Sequence, residues 1–293
     1  MTGKAKSVTM KSRIDTIQTK EPISNRNILS AYVKGHEDIT LDKEGYVVAR
    51  WNPNNIRDTY SQEYKLSLTR ESLNKMFDMV TVINAENVKM NRIDICTDVD
   101  FNYVENIKLL DLLHRCLTVN FKGGKKWTNI SDEDLKISNL RYKNLDWNIE
   151  FYDKKKQSEN THLYDTRLEV RALRVKSQDL EHHVNRCVDL YNASVDNVTK
   201  VNKMMGEMLI NAWEEEKRKQ PKLRFTTFVY KYSHYFYTND ILKIVYSNAG
   251  LKGSLNGWLR DFRKTYNIDL YTKKDIEKLV KQVVKSLKKY KKL

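Results

Sequence analysis

Two stretches place carboxylates inside patterns that otherwise describe buried strands: RIDICTD, residues 92 to 98, and TRLEVRAL, residues 166 to 173. In the first, Arg92, Asp94, Cys96 and Asp98 alternate with Ile93, Ile95 and Thr97; in the second, Arg167, Glu169 and Arg171 oppose Leu168, Val170 and Ala172. A strand sends successive side chains to opposite faces, so each polar set shares one face. An ionised carboxylate on such a face needs a cation, a donor or a metal. Asp94, Asp98 and Glu169, with Glu150 and nearby tyrosines, therefore describe a candidate site for a hard ion such as Mg²⁺ or Mn²⁺. Such ions act most often in phosphoryl chemistry, where they polarise the non-bridging oxygens. The plain alternative pairs the same acids with Arg92, Arg167 and Arg171 across the sheet.

Phosphoryl chemistry also needs a nucleophile, and the chain holds 17 tyrosines. A phenolate attacking phosphorus would store the bond energy as a phosphotyrosine. Tyr142 stands between Arg141 and Lys143, two cations that would lower its pKa and hold a phosphate. Any single tyrosine serves as readily as a structural or base-stacking residue. The six histidines form no HxH or HExxH pattern, and Gly123-Gly124 lacks the spacing of a phosphate-binding loop and reads as a turn.

Composition narrows the partner. Lys plus Arg number 53 against 38 Asp plus Glu, a net charge of +15. That excess attracts polyanions through counterion release, which makes nucleic acid the first expected partner. Biased codon usage in an AT-rich genome is the competing source of the lysines. Three widely spaced cysteines, Cys96, Cys116 and Cys187, form neither a disulfide framework nor a zinc cluster and point to a reducing cytoplasm. No apolar run reaches the length of a membrane span, and the N-terminus lacks a signal-peptide core, so a cytoplasmic protein with no membrane partner is expected.

The elements that would position the acids follow from periodicity. Residues 1 to 27 read as a flexible basic arm. Strands are predicted at 45 to 51 and 64 to 70, a helix from about 72 to 83, and the RIDICTD strand after it. A helix from about 103 to 118 precedes the turn FKGGKK, then residues 134 to 142 and 145 to 153 form a hairpin joined by Lys143 and Asn144. From about 177 the pattern is helical up to Pro221. The stretch that follows mixes aromatics with bases, and a final helix from about 272 sets Ile276, Leu279, Val280, Val283, Val284 and Leu287 against Lys273, Lys274, Lys278, Lys281, Lys285 and Lys288. The expected fold class is α+β: a mainly antiparallel sheet with helices on one face over residues 28 to 175, then a helical, basic DNA-binding part over 176 to 293.

Four stretches in order, RIDICTD (92 to 98), NLRYKN (139 to 144), EFYDKKKQ (150 to 157) and TRLEVRAL (166 to 173), resemble the motif series of rolling-circle replication initiators. The likeness is to staphylococcal-type plasmid initiators, their relatives in conjugative elements and the gene II proteins of filamentous phages, and it covers about 90 to 175. It implies metal binding by Asp94 and Glu169, with Asp98 in support, Tyr142 as the nucleophile, and Lys154 with Arg167 on the scissile phosphate. Arg141, Lys143, Lys155, Lys156 and the lysines of the last helix would contact DNA. Two departures stand out: no Gly-Ser-Arg turn follows Tyr142, and Gln157 lies where a Glu commonly follows the YDK motif, which leaves Tyr152 and Tyr164 as rival nucleophiles.

The implied activity is a metal-dependent endonuclease that nicks and rejoins one strand of origin DNA, single-stranded, cruciform or duplex. It would start rolling-circle replication of a plasmid or phage, with a host helicase as a further partner and a homodimer as a compatible state. Two alternatives use the same residues: a non-catalytic DNA-binding regulator or replication accessory protein, and a relaxase or transposase of a mobile element.

Overall fold

A computed structural model describes residues 9–22, 36–41, 46–51, 89–130, 137–175, 179–251, 253–266 and 270–291. These residues form the strands β1 Met10–Pro22, β2 His36–Leu41, β3 Tyr46–Trp51, β4 Lys89–Val99, β5 Lys125–Ile130, β6 Ile137–Lys143, β7 Trp147–Asp153 and β8 Thr166–Ala172. All eight join one sheet in the order β2-β3-β1-β4-β8-β7-β6-β5, every pairing antiparallel. The helices are α1 Ile107–Thr118, α2 Lys154–Gln157, α3 Leu180–Asp196, α4 Val198–Lys219, α5 Phe225–Lys231, α6 Asn239–Asn248, α7 Leu255–Thr265 and α8 Lys273–Lys291. The fold is α+β, with the helices gathered toward the C-terminal end of the chain.

Register decides what each face holds. Ile95 pairs with Val170, Val170 with Ile149, and Ile149 with Tyr142, so these four side chains share a face with Ile93, Leu168, Phe151 and Leu140. All are buried, and each such apolar side chain contributes roughly 1.5–3 kcal/mol on leaving water. Trp147 lies on that face too, and the Arg186 guanidinium of α3 sits 4.7 Å from its ring centre, so the start of α3 runs over the apolar side. The opposite face carries the polar set described below.

Several expectations are corrected. Residues 10 to 22 are not a flexible arm but the longest strand among the described residues, paired with β4 on one side and β3 on the other. Its alternation is hidden because the register shifts between Ile14 and Thr16, a bulge that breaks the period of two around Asp15. The hairpin turn is Asn144-Leu145-Asp146, not Lys143-Asn144: the Asn144 carboxamide accepts from the amides of Asp146 (2.9 Å) and Trp147 (2.7 Å), a side-chain turn that delays β7 to Trp147. Lys125 and Lys126, the end of the expected turn, begin β5, which pairs with β6. The helix expected from 103 starts at Ile107. The strand expected at 64 to 70 and the helix expected at 72 to 83 lie outside the described residues.

The chain divides into two compact units, so the division does not fall at 175. One comprises Met1–Val104, Phe121–Tyr191 and Gln282–Leu293; the other comprises Glu105–Asn120 and Asn192–Lys281. Within the second, Gly206 lets α4 meet α6 closely: a Cβ there would lie 2.6 Å from Ile244 Cγ2. Buried Asp111 accepts from Tyr237 and, at 3.2 Å, from Arg115. Asn197 donates to the Cys116 carbonyl at 2.8 Å, tying the end of α1 to the start of α4. Among the described residues no helix is long and apolar enough to cross a membrane.

Candidate functional site

The polar face of the sheet collects the acids that the sequence singled out. Asp94 pairs with Arg171, Cys96 with Glu169 and Asp98 with Arg167 across β4 and β8, while Glu150 and Tyr152 of β7 pair with Glu169 and Arg167. Antiparallel register makes these side chains neighbours on one surface. Asp94, Asp98, Glu150 and Glu169 are all buried, with Asp98 fully so, and burial at that depth requires compensation.

Arginines supply it in two clusters. In the first, Arg171 reaches three carboxylates: its Nε donates to Glu169 and lies 3.7 Å from Asp94 Oδ2, and its Nη2 lies 3.1 Å from Glu150 Oε2. Arg92 grips Asp94 with two parallel bonds, one of them 2.7 Å from Nε to Oδ1. Asn139 donates to Glu150 from β6. In the second, Arg167 donates to both oxygens of Asp98, at 2.6 and 3.1 Å, and through Nη1 to Asp15 at 3.0 Å. Arg13 adds an ion pair to Asp98 at 3.3 Å, and His162 approaches the same carboxylate at 3.8 Å.

Tyr152 joins the first cluster. Its hydroxyl donates to Glu169 Oε2 at 3.0 Å, and the Lys154 ammonium lies 6.0 Å from its ring centre. Burial, then the neighbouring Glu169 charge, pushes the Tyr152 phenol well above its ordinary range, so it rests as a neutral donor. Burial, then the Arg167 charge, lowers the Lys154 ammonium, which makes it a readier proton donor. Asp94 is raised to about 6, chiefly by burial, against the opposing pull of Arg92. Burial raises the Cys96 thiol well above its usual value and keeps it protonated.

Tyr142 is not among these groups. Its partner in register is Ile149, so its ring lies on the apolar face, opposite Asp94 and Glu169. The ring packs against Phe121, 5.5 Å between centres, and its buried hydroxyl finds no hydrogen-bond partner among the described residues. It fills the space above Gly124, where a Cβ would lie 1.9 Å from the Tyr142 oxygen. The expectation that Arg141 and Lys143 flank a reactive phenol is corrected by the same alternation, because neighbours in a strand point away from it. Tyr164, the other rival, stands on the loop before β8 with its ring 6.1 Å from His162.

The expected DNA contacts divide. Arg141 lies on the polar face and donates to Asn148 at 3.4 Å; Lys143 and Lys156 are exposed; Lys155 pairs with Asp165 at 3.2 Å. Along α8, Lys273, Lys274, Lys278, Lys281 and Lys285 are exposed, and Ile276, Leu279, Val280, Val283, Val284 and Leu287 are buried, as the helical spacing predicted. Lys273 lies 3.7 Å from Asp196. Four participants escaped the sequence reading: Asp15 and Arg13, hidden by the bulge in β1; Asn139, whose position opposite Tyr152 needs the hairpin register; and His162, which no histidine pattern marked.

A Mg²⁺ or Mn²⁺ ion on Asp94 and Glu169 was expected. The two carboxylates do share a face, but the cation between them is the Arg171 guanidinium. Among the described residues no group of three His, Cys, Asp or Glu side chains is placed to hold a metal. The donor set as arranged, with the Arg171 guanidinium between the carboxylates, therefore does not fit a divalent ion.

No protein-family model matches the chain, and neither does any curated protein. Among solved structures it is similar to a rolling circle replication initiator protein from Geobacillus stearothermophilus, at 15% identity and a TM-score of 0.36, over 61% of this chain and 78% of that one. A score that low fixes no residue correspondence.

Proposed function

We propose that this chain is a DNA replication initiator of the rolling-circle type, which opens one strand of its origin at the polar face of the sheet. The observation that carries the reading is the Tyr152–Glu169 pair, a phenol donating to a carboxylate beside Arg167 and Lys154. The order of the four motifs and the net charge of +15 support it. In the proposed step the Tyr152 oxygen bonds to phosphorus while the bond to the 3′ oxygen breaks. The phenolic proton passes to Glu169 as the oxygen attacks, and Lys154 protonates the departing 3′ oxygen. Arg167 stabilises charge on the phosphoryl oxygens. The 5′ end stays on the tyrosine with its bond energy kept, so the reverse step rejoins the strand. Tyr152 is only 7% exposed, so a phosphate reaches it only when the side chains around it move.

A second reading is favoured by the completeness of the ion pairing. Asp15, Asp94, Asp98, Glu150 and Glu169 each meet at least one arginine, which is what a structural charge network in a non-catalytic DNA-binding protein requires. Incubation with labelled single-stranded origin DNA separates the two. The initiator reading expects a covalent protein–DNA adduct on a denaturing gel, lost in Tyr152→Phe and retained in Tyr142→Phe. Specific DNA binding without an adduct or a nick, with or without Mn²⁺, establishes the regulator instead. A relaxase or transposase would share the chemistry and differ in the DNA it selects.

A further inference from the structure

The second unit carries a surface that the nicking site does not use. The chain leaves α4 at Pro221 and enters α5 through Arg224, whose extended backbone starts the helix. Here an open depression of about 590 Å³ is lined by Gln220, Pro221, Lys222, Leu223, Arg224 and Thr227. Lys222 and Arg224 are exposed, and among the described residues neither has an ion-pair partner. Lys231 differs, since it is held by Glu216 at 2.8 Å.

An aromatic row starts from the same helix. Arg224, Thr227 and Tyr230 follow at intervals of three, each next to the one before, so they rise about 9 Å along α5 while turning about a third of the way around it. Tyr230 comes last and is 60% exposed. Its ring is not loose: it rests 4.9 Å from Tyr266, which rests 4.9 Å from buried Phe262, itself stacked 4.8 Å from Trp258. The row is anchored at its buried end and presents a ring at the other. Cations beside a fixed, open aromatic face match the backbone and an unpaired base of a single strand. A duplex keeps its bases stacked on each other and offers no free base to such a ring.

We propose that this surface binds single-stranded DNA, with phosphates held by Lys222 and Arg224 and a base stacked on Tyr230. The inference does not depend on Tyr152 or on any strand cleavage. It is tested on the full chain by fluorescence anisotropy with a labelled single strand of about 20 nucleotides that lacks any origin, a length that covers the 4–16 nucleotides such surfaces usually occupy. Tyr230→Ala is expected to weaken single-strand binding about 5- to 150-fold, the range a base stack supplies. Tyr230→Phe, which keeps the ring, is expected to stay within about twofold on the same stacking argument. Replacing both Lys222 and Arg224 by Gln is expected to lower the slope of log affinity against log salt by about 1.4, since each phosphate contact to a single strand contributes about 0.7. The proposal is overturned if Tyr230→Ala binds as wild type does, or if it loses duplex and single-strand affinity equally. Adduct formation at the polar face is read separately, so failure here leaves the nicking reading standing.

Discussion

Arg171→Ala is the sharpest perturbation of the acid cluster, because one guanidinium serves Asp94, Glu150 and Glu169. Stripping the cation from buried acids typically costs about 3–5 kcal/mol. The Arg171 side chain is 19% exposed, so water recovers part of that and the lower end, about 3 kcal/mol, is expected. A loss of that size is a large fraction of the roughly 5–15 kcal/mol that holds a domain together. It should appear as a clear drop in the urea midpoint followed by tryptophan fluorescence, since Trp147 lies in the same sheet. If the variant unfolds at the wild-type midpoint, the assignment of Arg171 as the resident cation is wrong.

Two further outcomes follow from the same geometry. Tyr142→Phe removes a buried hydroxyl that has no partner among the described residues, and such a group costs about 1–3 kcal/mol, so the variant should melt at or above the wild-type temperature. A clear fall in its melting temperature would mean that the phenol is satisfied. Asp94, raised to about 6 from an ordinary value near 3.8, keeps its proton in the fold over a window where the unfolded chain has released it. The unfolded state binds fewer protons there, so this group makes stability fall as pH rises from about 4 to 6. Asp94→Asn should remove that slope from a pH series of urea midpoints; an unchanged slope would place the titration elsewhere.

The sequence was informative where a strand alternates cleanly and misleading where it does not. RIDICTD and TRLEVRAL could be read as facing strands because isoleucine, leucine and valine mark the period of two on both. Their pairing through Asp94–Arg171 and Asp98–Arg167 is the arginine–carboxylate alternation made spatial. The strand MKSRIDTIQTKEP read as disorder because one bulge shifts the phase at Asp15, and that bulge also hid Asp15 and Arg13 from the site. Tyr142 was misplaced for a simpler reason: cations next to it in sequence suggested cations next to it in space, whereas a strand sends neighbours to opposite faces. Tyr152, with the parity of Glu150, already stood on the acidic side. The sequence offered two occupants of the acid cluster, a metal ion and the arginines Arg92, Arg167 and Arg171, and did not choose between them, since a guanidinium and a metal ion satisfy the same carboxylates.

The central claim is that Tyr152 attacks phosphorus with Glu169 as its base. The most direct measurement is mass spectrometry of the adduct formed with single-stranded origin DNA, after nuclease and protease digestion. A nucleotide on the peptide carrying EFYDK, residues 150 to 154, with fragmentation placing it on Tyr152, is the predicted result. A nucleotide on the Tyr142 or Tyr164 peptide, or an adduct undiminished in Tyr152→Phe, would contradict it.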